Sequence, residues 1–557
     1  MLSTGGASEV LAFAFAGATA QARQHAASLL AVPGIDDSNR ASVLAASVLA
    51  DYFDARYVDA LLVARRAVEL AESGCSGEAR LLAAVVHALA LANATDVEGT
   101  LGDATFDVAF AQREVFAGFP QPLRDFTSAL LIEAAFANGR IALAAEILAE
   151  RSVRAPDAFA AFPMLNLQPV RVHIFSGDTV AARAHCEMVL ASCAEHDHTA
   201  RALAHGFLAL VAGYQGNAEE TQQHADAVRT LAPRPSTMRD GGAHTVSAYG
   251  LAALERYAEA RAMVLSGGGG PDLHLSQLVD RAIGYDILVT AALAEGDMDA
   301  AVLWARRAKP FAIRVAANHV IDQMEARIAF ALGDAERSAN HSAKASSGAR
   351  SIGRNLEATS ADLSHARALI AAGRPGAAVS PLNVLAHDAD RGGSEVLRKR
   401  AAVELRRLGR RVEPRHGAGA AALSDREIEV ANLAAEGFTN RHIAQSLFLS
   451  ERTIQIHLGR AMRALGVSHR SALPGALGGL ATIADAESLP LTDRQREVSE
   501  YIHAGLTNAE ISARMGIGVK TVEKHVASIF ERWSVTSRTA ISRRVASSFQ
   551  ETSSTQT

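Results

Sequence analysis

Two stretches near the C-terminal end place polar and basic side chains at the spacing of one helix face. In the first stretch this face carries Arg452, Gln455, Ile456, Gly459 and Arg460. In the second it carries Lys520, Glu523, Lys524, Ala527 and Ser528. Gln455 can pair with adenine and Ile456 can touch a thymine methyl, while Glu523 can accept from cytosine and Lys524 can reach guanine or a phosphate. The chemistry that these faces favour is contact with base edges in a major groove.

Residues beside these faces suit contact with the phosphate backbone, which fixes register without reading sequence. The residues expected in this role are Arg452, Thr453, Lys520 and Thr521. His457 and His525 stand at matching positions, where either phosphate contact or structural support of the helix is expected. The alternative for the whole set is a solvated surface that binds nothing.

The two stretches belong to a longer sequence segment that occurs twice, at a constant offset of 68 residues without a gap. The paired segments are 423–430 (LSDREIEV) with 491–498 (LTDRQREV), 437–440 (GFTN) with 505–508 (GLTN), 453–457 (TIQIH) with 521–525 (TVEKH), and 467–470 (VSHR) with 535–538 (VTSR). The C-terminal region therefore holds two copies of one small domain.

Each copy resembles the LuxR-type helix-turn-helix, a four-helix DNA-binding domain of bacterial transcription regulators. The resemblance covers Leu423–Leu473 and Leu491–Val545 and leaves the upstream region out. Two departures stand out. Gly518 replaces the serine or threonine that usually opens the recognition helix, which removes a cap. Pro474-Gly475 interrupts the fourth helix of the first copy, which the resemblance implies is used for dimerisation. An internal proline costs a helix about 3 kcal/mol, so we expect this copy to dimerise poorly. The corresponding helix of the second copy, 536–549, has no such interruption.

The spacing of apolar residues places the two polar faces on helices, and each of these helices must pack against neighbouring helices of its own domain. Asn440 and Asn508 are expected to cap the scaffold helices, and Gly516 allows the sharp bend that follows the second one. Residues three and four apart should form the cores: Ile443, Ala444, Leu447, Ile454, Leu458, Ala461 and Leu465 in the first copy, and Ile511, Met515, Val522, Val526, Ile529 and Trp533 in the second. Arg470 and Arg538 are expected to brace the domains.

Upstream, short polar turns with glycine recur between helical stretches. These glycines are Gly139, Gly177, Gly216, Gly296, Gly333, Gly373 and Gly409, spaced about one helix pair apart, with Glu255-Arg256-Tyr257 at the one missing turn. Glycine can end one helix in the left-handed conformation, and Asp or Asn can cap the next. A fixed period of this kind predicts a stacked array of tetratricopeptide-like helix pairs. Gly267–Gly270 should be a flexible loop inside the array.

Charge separates the two regions. The 557-residue chain has a net charge of −5, of which 394–557 contributes +6 and the remainder −11. The basic run 397–415 is either a solvated helix face or a further phosphate contact. An acidic body with a basic end favours a polyanion as the partner of the C-terminal region.

Several function classes find no support in the sequence. No lysine follows a glycine, so the phosphate-binding Walker A motif is absent. Cys186 and Cys193, with neighbouring histidines, favour buried helical cysteines over a metal site. No nucleophilic triad or carboxylate pair stands out, so we predict neither enzyme activity nor a cofactor nor a metal. Three cysteines and the lack of a membrane-spanning run indicate a cytoplasmic protein.

Together these observations predict an all-α protein: a helical-repeat solenoid followed by two small four-helix LuxR-type domains. The expected boundaries are 1–411 for the repeats, 412–422 and 474–490 for linkers, 423–473 and 491–546 for the two domains, and 547–557 for a disordered tail. We expect a regulator that reads double-stranded DNA, with a protein or small-molecule effector on the repeats and a possible homodimer. The alternatives are an interaction scaffold whose terminal domains bind DNA weakly or not at all, and a relative of large ATP-dependent LuxR-type regulators that lacks the nucleotide site.

Overall fold

The computed structural model describes residues 5–72, 74–93, 99–111, 118–154, 162–410, 423, 425–447, 449–467, 469–477, 491–504, 506–533, 541 and 545. Within these residues the chain forms helices and no strand. It divides into two compact units, residues 1–412 and 413–557. The predicted linker 412–422, most of the linker 474–490 and the predicted tail 547–557 lie outside the described residues.

The first unit is built from helices throughout its described residues. They are α1 (Gly5–Phe15), α2 (Thr19–Leu30), α3 (Asp37–Phe53), α4 (Tyr57–Glu72), α5 (Gly77–Ala92), α6 (Gly99–Ala111), α7 (Gln121–Ala137), α8 (Ile141–Arg154), α9 (Gln168–Ser176), α10 (Thr179–Ser192), α11 (His198–Gln215), α12 (Ala218–Leu231), α13 (Met238–Ala253), α14 (Tyr257–Gly267), α15 (Leu278–Ala294), α16 (Met298–Ala308), α17 (Val315–Ala331), α18 (Ala335–Ser351), α19 (Asn355–Ala371), α20 (Pro375–Gly392) and α21 (Glu395–Arg407). Short 3₁₀ segments lie at Pro163–Leu167 and Lys309–Ile313.

The helices of the first unit pack against their neighbours along the chain. Consecutive helices pack together, and alternate helices also touch, as in α3 with α5, α11 with α13, α15 with α17 and α19 with α21. This packing is compatible with stacked helix pairs, in which each pair covers the apolar face of the next.

The turns between pairs have the backbone that the glycines predict. All seven predicted turn glycines have φ between 68° and 85°. At the missing turn Glu255 adopts φ 63°, so the period continues there without glycine. Four following helices begin with a side-chain cap, from Asp178, Asn217, Asp297 and Asp334. The local signals for helix ends are therefore confirmed at these turns.

One crossing depends on small residues. On α11 and α13, a Cβ added to Gly213 would lie 2.3 Å from the carbonyl oxygen of Gly250. A Cβ added to Gly250 would lie 2.1 Å from the carbonyl oxygen of Ala209. Since real Cβ atoms do not approach so closely, only glycine lets these two helices reach this distance.

The first unit also joins segments that are far apart in sequence. Thr179 Oγ1 donates to the carbonyl oxygen of Gly392 over 2.8 Å, and Arg239 donates to the carbonyl oxygen of Phe15 over 3.0 Å. One continuous core contains buried residues from α1 as well as α21. An open solenoid has contacts only between neighbouring repeats; in this unit early and late helices also pack on one another.

The glycine run 267–270 is more ordered than a flexible break. Leu273, which follows it, is 1% exposed, and Tyr285 donates its hydroxyl to the carbonyl oxygen of Pro271 over 3.2 Å. The run therefore begins a folded loop that packs against α15, because a buried leucine and a hydrogen bond fix its path.

The second unit contains the two text repeats. The first copy comprises α22 (Asp425–Ala435), α23 (Asn440–Ser446), α24 (Glu451–Ala464), a 3₁₀ turn (Arg470–Ala472) and α25 (Leu473–Ala476). The second copy comprises α26 (Asp493–His503), α27 (Asn508–Met515) and α28 (Val519–Trp533). The segment 536–549 lies outside the described residues except for Ile541 and Val545, which are buried.

Pro474 stands in a different place from the one expected. It occupies the first turn of the short α25 and not the interior of a longer helix. The amide that proline lacks would have no helical partner in a first turn, so the expected cost of about 3 kcal/mol does not arise there. The interruption predicted for the fourth helix is thus a helix start.

No helix of the described residues has both the length and the apolar character that a membrane crossing requires.

Candidate nucleic-acid interface

Helix α24 turns one face inward and presents the other to solvent. Its first turn is capped by Ser450, whose hydroxyl accepts from the amide of Thr453 over 3.1 Å. Ile454 is fully buried and Leu458 is 7% exposed, in one core with residues of α22 and α23, and the fully buried Ala461 packs with Ala431 of α22. The predicted core of this helix is confirmed, and its opposite side is left available.

The outward side of α24 carries three of the predicted residues as exposed side chains. These are Arg452, Gln455 and Ile456. Ile456, at 38% exposure, is one of the few large apolar side chains of the described residues that solvent reaches. Gly459 and Arg460 are half-buried one turn further on. A cation, an amide and an apolar group thus share one accessible face.

Helix α28 repeats this arrangement with different side chains. Val522 and Ile529 are fully buried and Val526 is 7% exposed, against Val498 and Ile511. The predicted core is confirmed, with Trp533 partly buried against it. On the other side the exposed residues are Lys520, Thr521, Glu523, Lys524 and Ala527.

Three predicted residues are turned away from these faces. Thr453 is 8% exposed and its hydroxyl lies 2.7 Å from that of Ser450. His457 is 2% exposed, because it stands four residues before the fully buried Ala461 and faces the same side of α24. The burial of Thr453 differs from the phosphate contact expected of it, and the burial of His457 favours structural support of the helix, one of the two roles expected of it.

Ser528 of α28 is the third predicted residue that is turned away from the outward faces. Its hydroxyl accepts from the side-chain amide of Gln495 over 2.8 Å, which ties α28 to α26. His525 of the same helix is half-buried. The position that is buried in the first copy at His457 is therefore partly open in the second.

The scaffold helices start one residue earlier than the asparagines predict. Thr439 caps α23 by accepting from the amide of His442, and Thr507 caps α27 by accepting from that of Glu510. Glu510 bonds back to the amide and hydroxyl of Thr507, which lowers the pKa of its carboxyl group. The predicted caps Asn440 and Asn508 are instead the first helical residues. Gly516 ends α27 in the left-handed conformation, as predicted.

Two arginines brace the first copy. Arg470 donates to Asn440 Oδ1 over 2.7 Å and to the carbonyl oxygen of Phe438, as predicted for a bracing residue. Burial lowers the pKa of its guanidinium. Arg426, to which the sequence assigned no role, donates to the carbonyl oxygen of Leu447 over 2.8 Å. It thereby holds the turn between α23 and α24; the arginine in the repeated L-[ST]-x-R text was the available signal. Arg538 lies outside the described residues.

A further basic residue of the first copy was missed. Arg441 is exposed in the first turn of α23. In helix-turn-helix domains the helix before the recognition helix crosses the nucleic-acid backbone. The second copy has Ala509 at this position, so the two copies differ here as well as on their outward faces.

The described residues contain no group of three or more histidine, cysteine or acidic side chains placed to hold a metal ion. Cys186 is fully buried, and burial raises the pKa of its thiol. The cysteine region thus has the features of helix packing.

Comparison with known proteins identifies the repeated domain. Residues 421–474 and 489–545 match the model of the family described as bacterial regulatory proteins, luxR family. The C-terminal region therefore carries two LuxR-type helix-turn-helix domains.

Three relatives match over short segments of the chain. The probable transcriptional regulator ycf29 of Guillardia theta is 45% identical over 51 residues, which is 9% of this chain and 24% of the relative. The transcriptional regulatory protein UhpA of Escherichia coli is 35% identical over 63 residues, 11% of this chain and 32% of the relative. The spore germination protein GerE of Bacillus subtilis is 45% identical over 49 residues, 9% of this chain and 66% of the relative. The chain thus spans less than two thirds of the length of each of them.

Proposed function

We propose that this protein regulates transcription by binding double-stranded DNA through α24 and α28, while its helical body receives the regulatory signal. The observation that carries the proposal is the outward face of the two helices, in a domain of the luxR regulatory family. Each presents exposed groups that hydrogen-bond to base edges or phosphates, on a helix whose other side is firmly anchored.

Roles follow from the exposed chemistry. Gln455 is proposed to pair with adenine and Ile456 to touch a thymine methyl, while Glu523 accepts from cytosine and Lys524 donates to guanine or a phosphate. Arg441, Arg452, Lys520 and Thr521 are proposed as phosphate contacts, since they flank these residues with exposed donors. Because the two faces differ, the copies should read different half-sites.

The proposed division of the chain places regulation and recognition in separate parts. The repeats (1–411) form one part, and the DNA-binding domains (423–473 and 491–546) form the other. The boundary between the two compact units along the chain, at residues 412 and 413, supports this division.

A salt-dependent gel shift tests DNA binding. Full-length protein and the segment 420–557 are each mixed with genomic DNA fragments at several salt concentrations. Phosphate contacts release counterions, so the observed affinity should fall steeply as salt rises. If no fragment shifts even at low salt, the scaffold alternative holds and the regulator proposal fails.

Deletion of residues 1–400 tests the signal-receiving role. We expect DNA binding to persist and the response of target promoters to growth conditions to change. Promoter responses identical to those of the full chain under every condition would contradict a sensory body.

A further inference from the structure

The first unit contains a partly open cavity of about 140 Å³ between helices from its beginning, middle and end. The lining residues come from α1, α3, α7, α9, α11, α13, α15 and α19, which are separated by up to several hundred residues in sequence. The cavity exists because early and late helices pack on one another. Its volume is close to that of an engineered apolar cavity of about 150 Å³ that binds benzene.

Most of its wall is apolar. Aromatic and aliphatic side chains surround the space, including Phe15, Phe53, Phe175, Phe207, Leu210 and Ile283. Such a wall favours the body of a small apolar molecule, because burial of its surface removes it from water.

Two ion pairs also belong to the lining. Arg171 Nη1 lies 2.6 Å from Glu133 Oε2, and Arg354 Nη1 lies 2.6 Å from Glu357 Oε1. Gln168 also donates to Glu133, over 2.8 Å. Each of these charges therefore already has an opposite charge beside it, as buried charges require.

Asp280 is the exception. It lines the cavity from the first turn of α15, and among the described residues no donor forms a hydrogen bond or ion pair with its carboxylate. The residue is half-buried, so it is not closed off by the side chains packed around it. Burial raises the pKa of this carboxyl group, while Arg171 and Arg354 act in the opposite direction.

The charged side chains of the lining are three arginines (Arg171, Arg239 and Arg354) and three carboxylates (Glu133, Glu357 and Asp280). Arg239, elsewhere in the lining, is held by the carbonyl oxygens of Ala14 and Phe15, and its guanidinium carbon lies 3.6 Å from the ring centre of Phe53. Among the described residues, Asp280 is the one carboxylate of the lining without an arginine at ion-pair distance, which leaves a place beside it for an ammonium group.

We propose that this cavity binds a small, largely apolar amine, with its ring or alkyl body against the apolar wall and its ammonium group on Asp280. This assignment rests on the proposed sensory role of the body and names the chemistry of its signal. A ligand that bridges α15 and α19 to α7 and α9 stabilises the arrangement in which these helices meet, so its binding energy can shift the population of that arrangement.

Calorimetry on the full chain tests this assignment with three single-ring probes of similar size: benzylamine, benzyl alcohol and benzoate. We expect saturable binding of benzylamine, weaker binding of benzyl alcohol and none of benzoate, because the carboxylate of benzoate would face that of Asp280. Asp280→Asn should weaken the binding of benzylamine at least tenfold and leave the affinity for benzyl alcohol within twofold of its value in the unmodified chain.

Two further variants complete the test. Val246→Phe, which fills the cavity from α13, should abolish binding of both neutral and cationic probes. Asp299→Asn, an exposed carboxylate on α16, should leave benzylamine binding unchanged. If benzylamine does not bind saturably, or if Asp280→Asn binds benzylamine as tightly as the unmodified chain, the assignment is overturned.

Gel shifts on the same preparations separate this inference from the proposed function. DNA binding without amine binding refutes the cavity ligand and keeps the DNA-binding proposal. Amine binding without a DNA shift supports the cavity ligand and refutes the regulator.

Discussion

At the residue scale, the outward faces of α24 and α28 follow from spacing, but individual neighbours do not. A position on a helix turns by about 100° per residue, so residues next to the outward face lie at its margin. Thr453 and His457 fall on the buried side of that margin in the first copy, whereas Thr521 is exposed in the second. The repeated sequence alone makes these matching positions look equivalent. The side chains packed around each position decide whether it is buried or exposed.

Lys524→Ala tests whether the exposed face of α28 reads bases. Its loss should weaken binding to the preferred fragment by about 1–3 kcal/mol and relax the choice of base at one position. Competition gel shifts with single-base variants measure this, and Lys344→Ala on the exposed face of α18 serves as the matched control. An equal loss on every sequence, with a smaller salt slope, would make Lys524 a phosphate contact.

His319 predicts a pH dependence of the first unit. It is 4% exposed, neither ring nitrogen has a hydrogen-bond partner among the described residues, and burial lowers its pKa from 6.5 to about 3, with Arg354 adding to the effect. Between these values the unfolded chain holds more protons than the folded one, so stability falls as pH falls. At pH 5 the loss from this residue is about 2 kcal/mol relative to neutral pH.

Denaturant unfolding at pH 7 and pH 5 measures this loss. His319→Asn should remove part of the difference between the two pH values, while the exposed His196→Asn should retain all of it. Part of the dependence should survive in His319→Asn, because burial also lowers the pKa of His205 and His244. A His319→Asn variant with the full acid sensitivity of the unmodified chain would contradict this origin.

At the element scale, the helix ends at the recurring turns were predictable because their signals are local. A left-handed glycine and a capping Asp or Asn act within one turn, and both recur at a fixed period. The closure of the body was not predictable in this way. The hydrogen bond between Thr179 and Gly392 joins residues 213 apart, and nothing in either local sequence marks its partner.

The seam between α11 and α13 gives a prediction at this scale. Gly250→Ala places a Cβ 2.1 Å from the carbonyl oxygen of Ala209, so the helices must separate, at a cost of about 1–3 kcal/mol or more. Gly242→Ala on the same helix meets its nearest atom at 3.9 Å and should be neutral or slightly stabilising, since alanine favours helix. Thermal unfolding of both variants measures the difference. Equal melting temperatures would show that the seam does not require glycine.

At the scale of the whole molecule, the tandem domains raise the question of whether one chain can occupy two grooves. Helix α25 ends at Ala476 and α26 begins at Asp493, which leaves 16 residues between them. A flexible chain of that length spans about 20–24 Å on average and about 53–58 Å when extended. Successive major grooves on one side of DNA are about 34–36 Å apart. The connection is therefore long enough for both copies to bind at once.

We accordingly expect one chain to place Gln455 and Lys524 in successive grooves and to protect about two helical turns of DNA. Footprinting compares the unmodified protein with a Gln455→Ala/Ile456→Ala double variant, whose substitutions lie on the exposed face of α24 and leave its buried core intact. The unmodified protein should protect the longer tract, and the variant should lose protection at one end only. A homodimer would double the length of the protected tract and make the tract two-fold symmetric. The variant would then lose protection at two symmetry-related places, either both outer ends of the tract or both of its inner ends. A footprint identical in the two proteins would show that the first copy does not engage DNA, and its exposed face would then be a spacer or a surface for another partner.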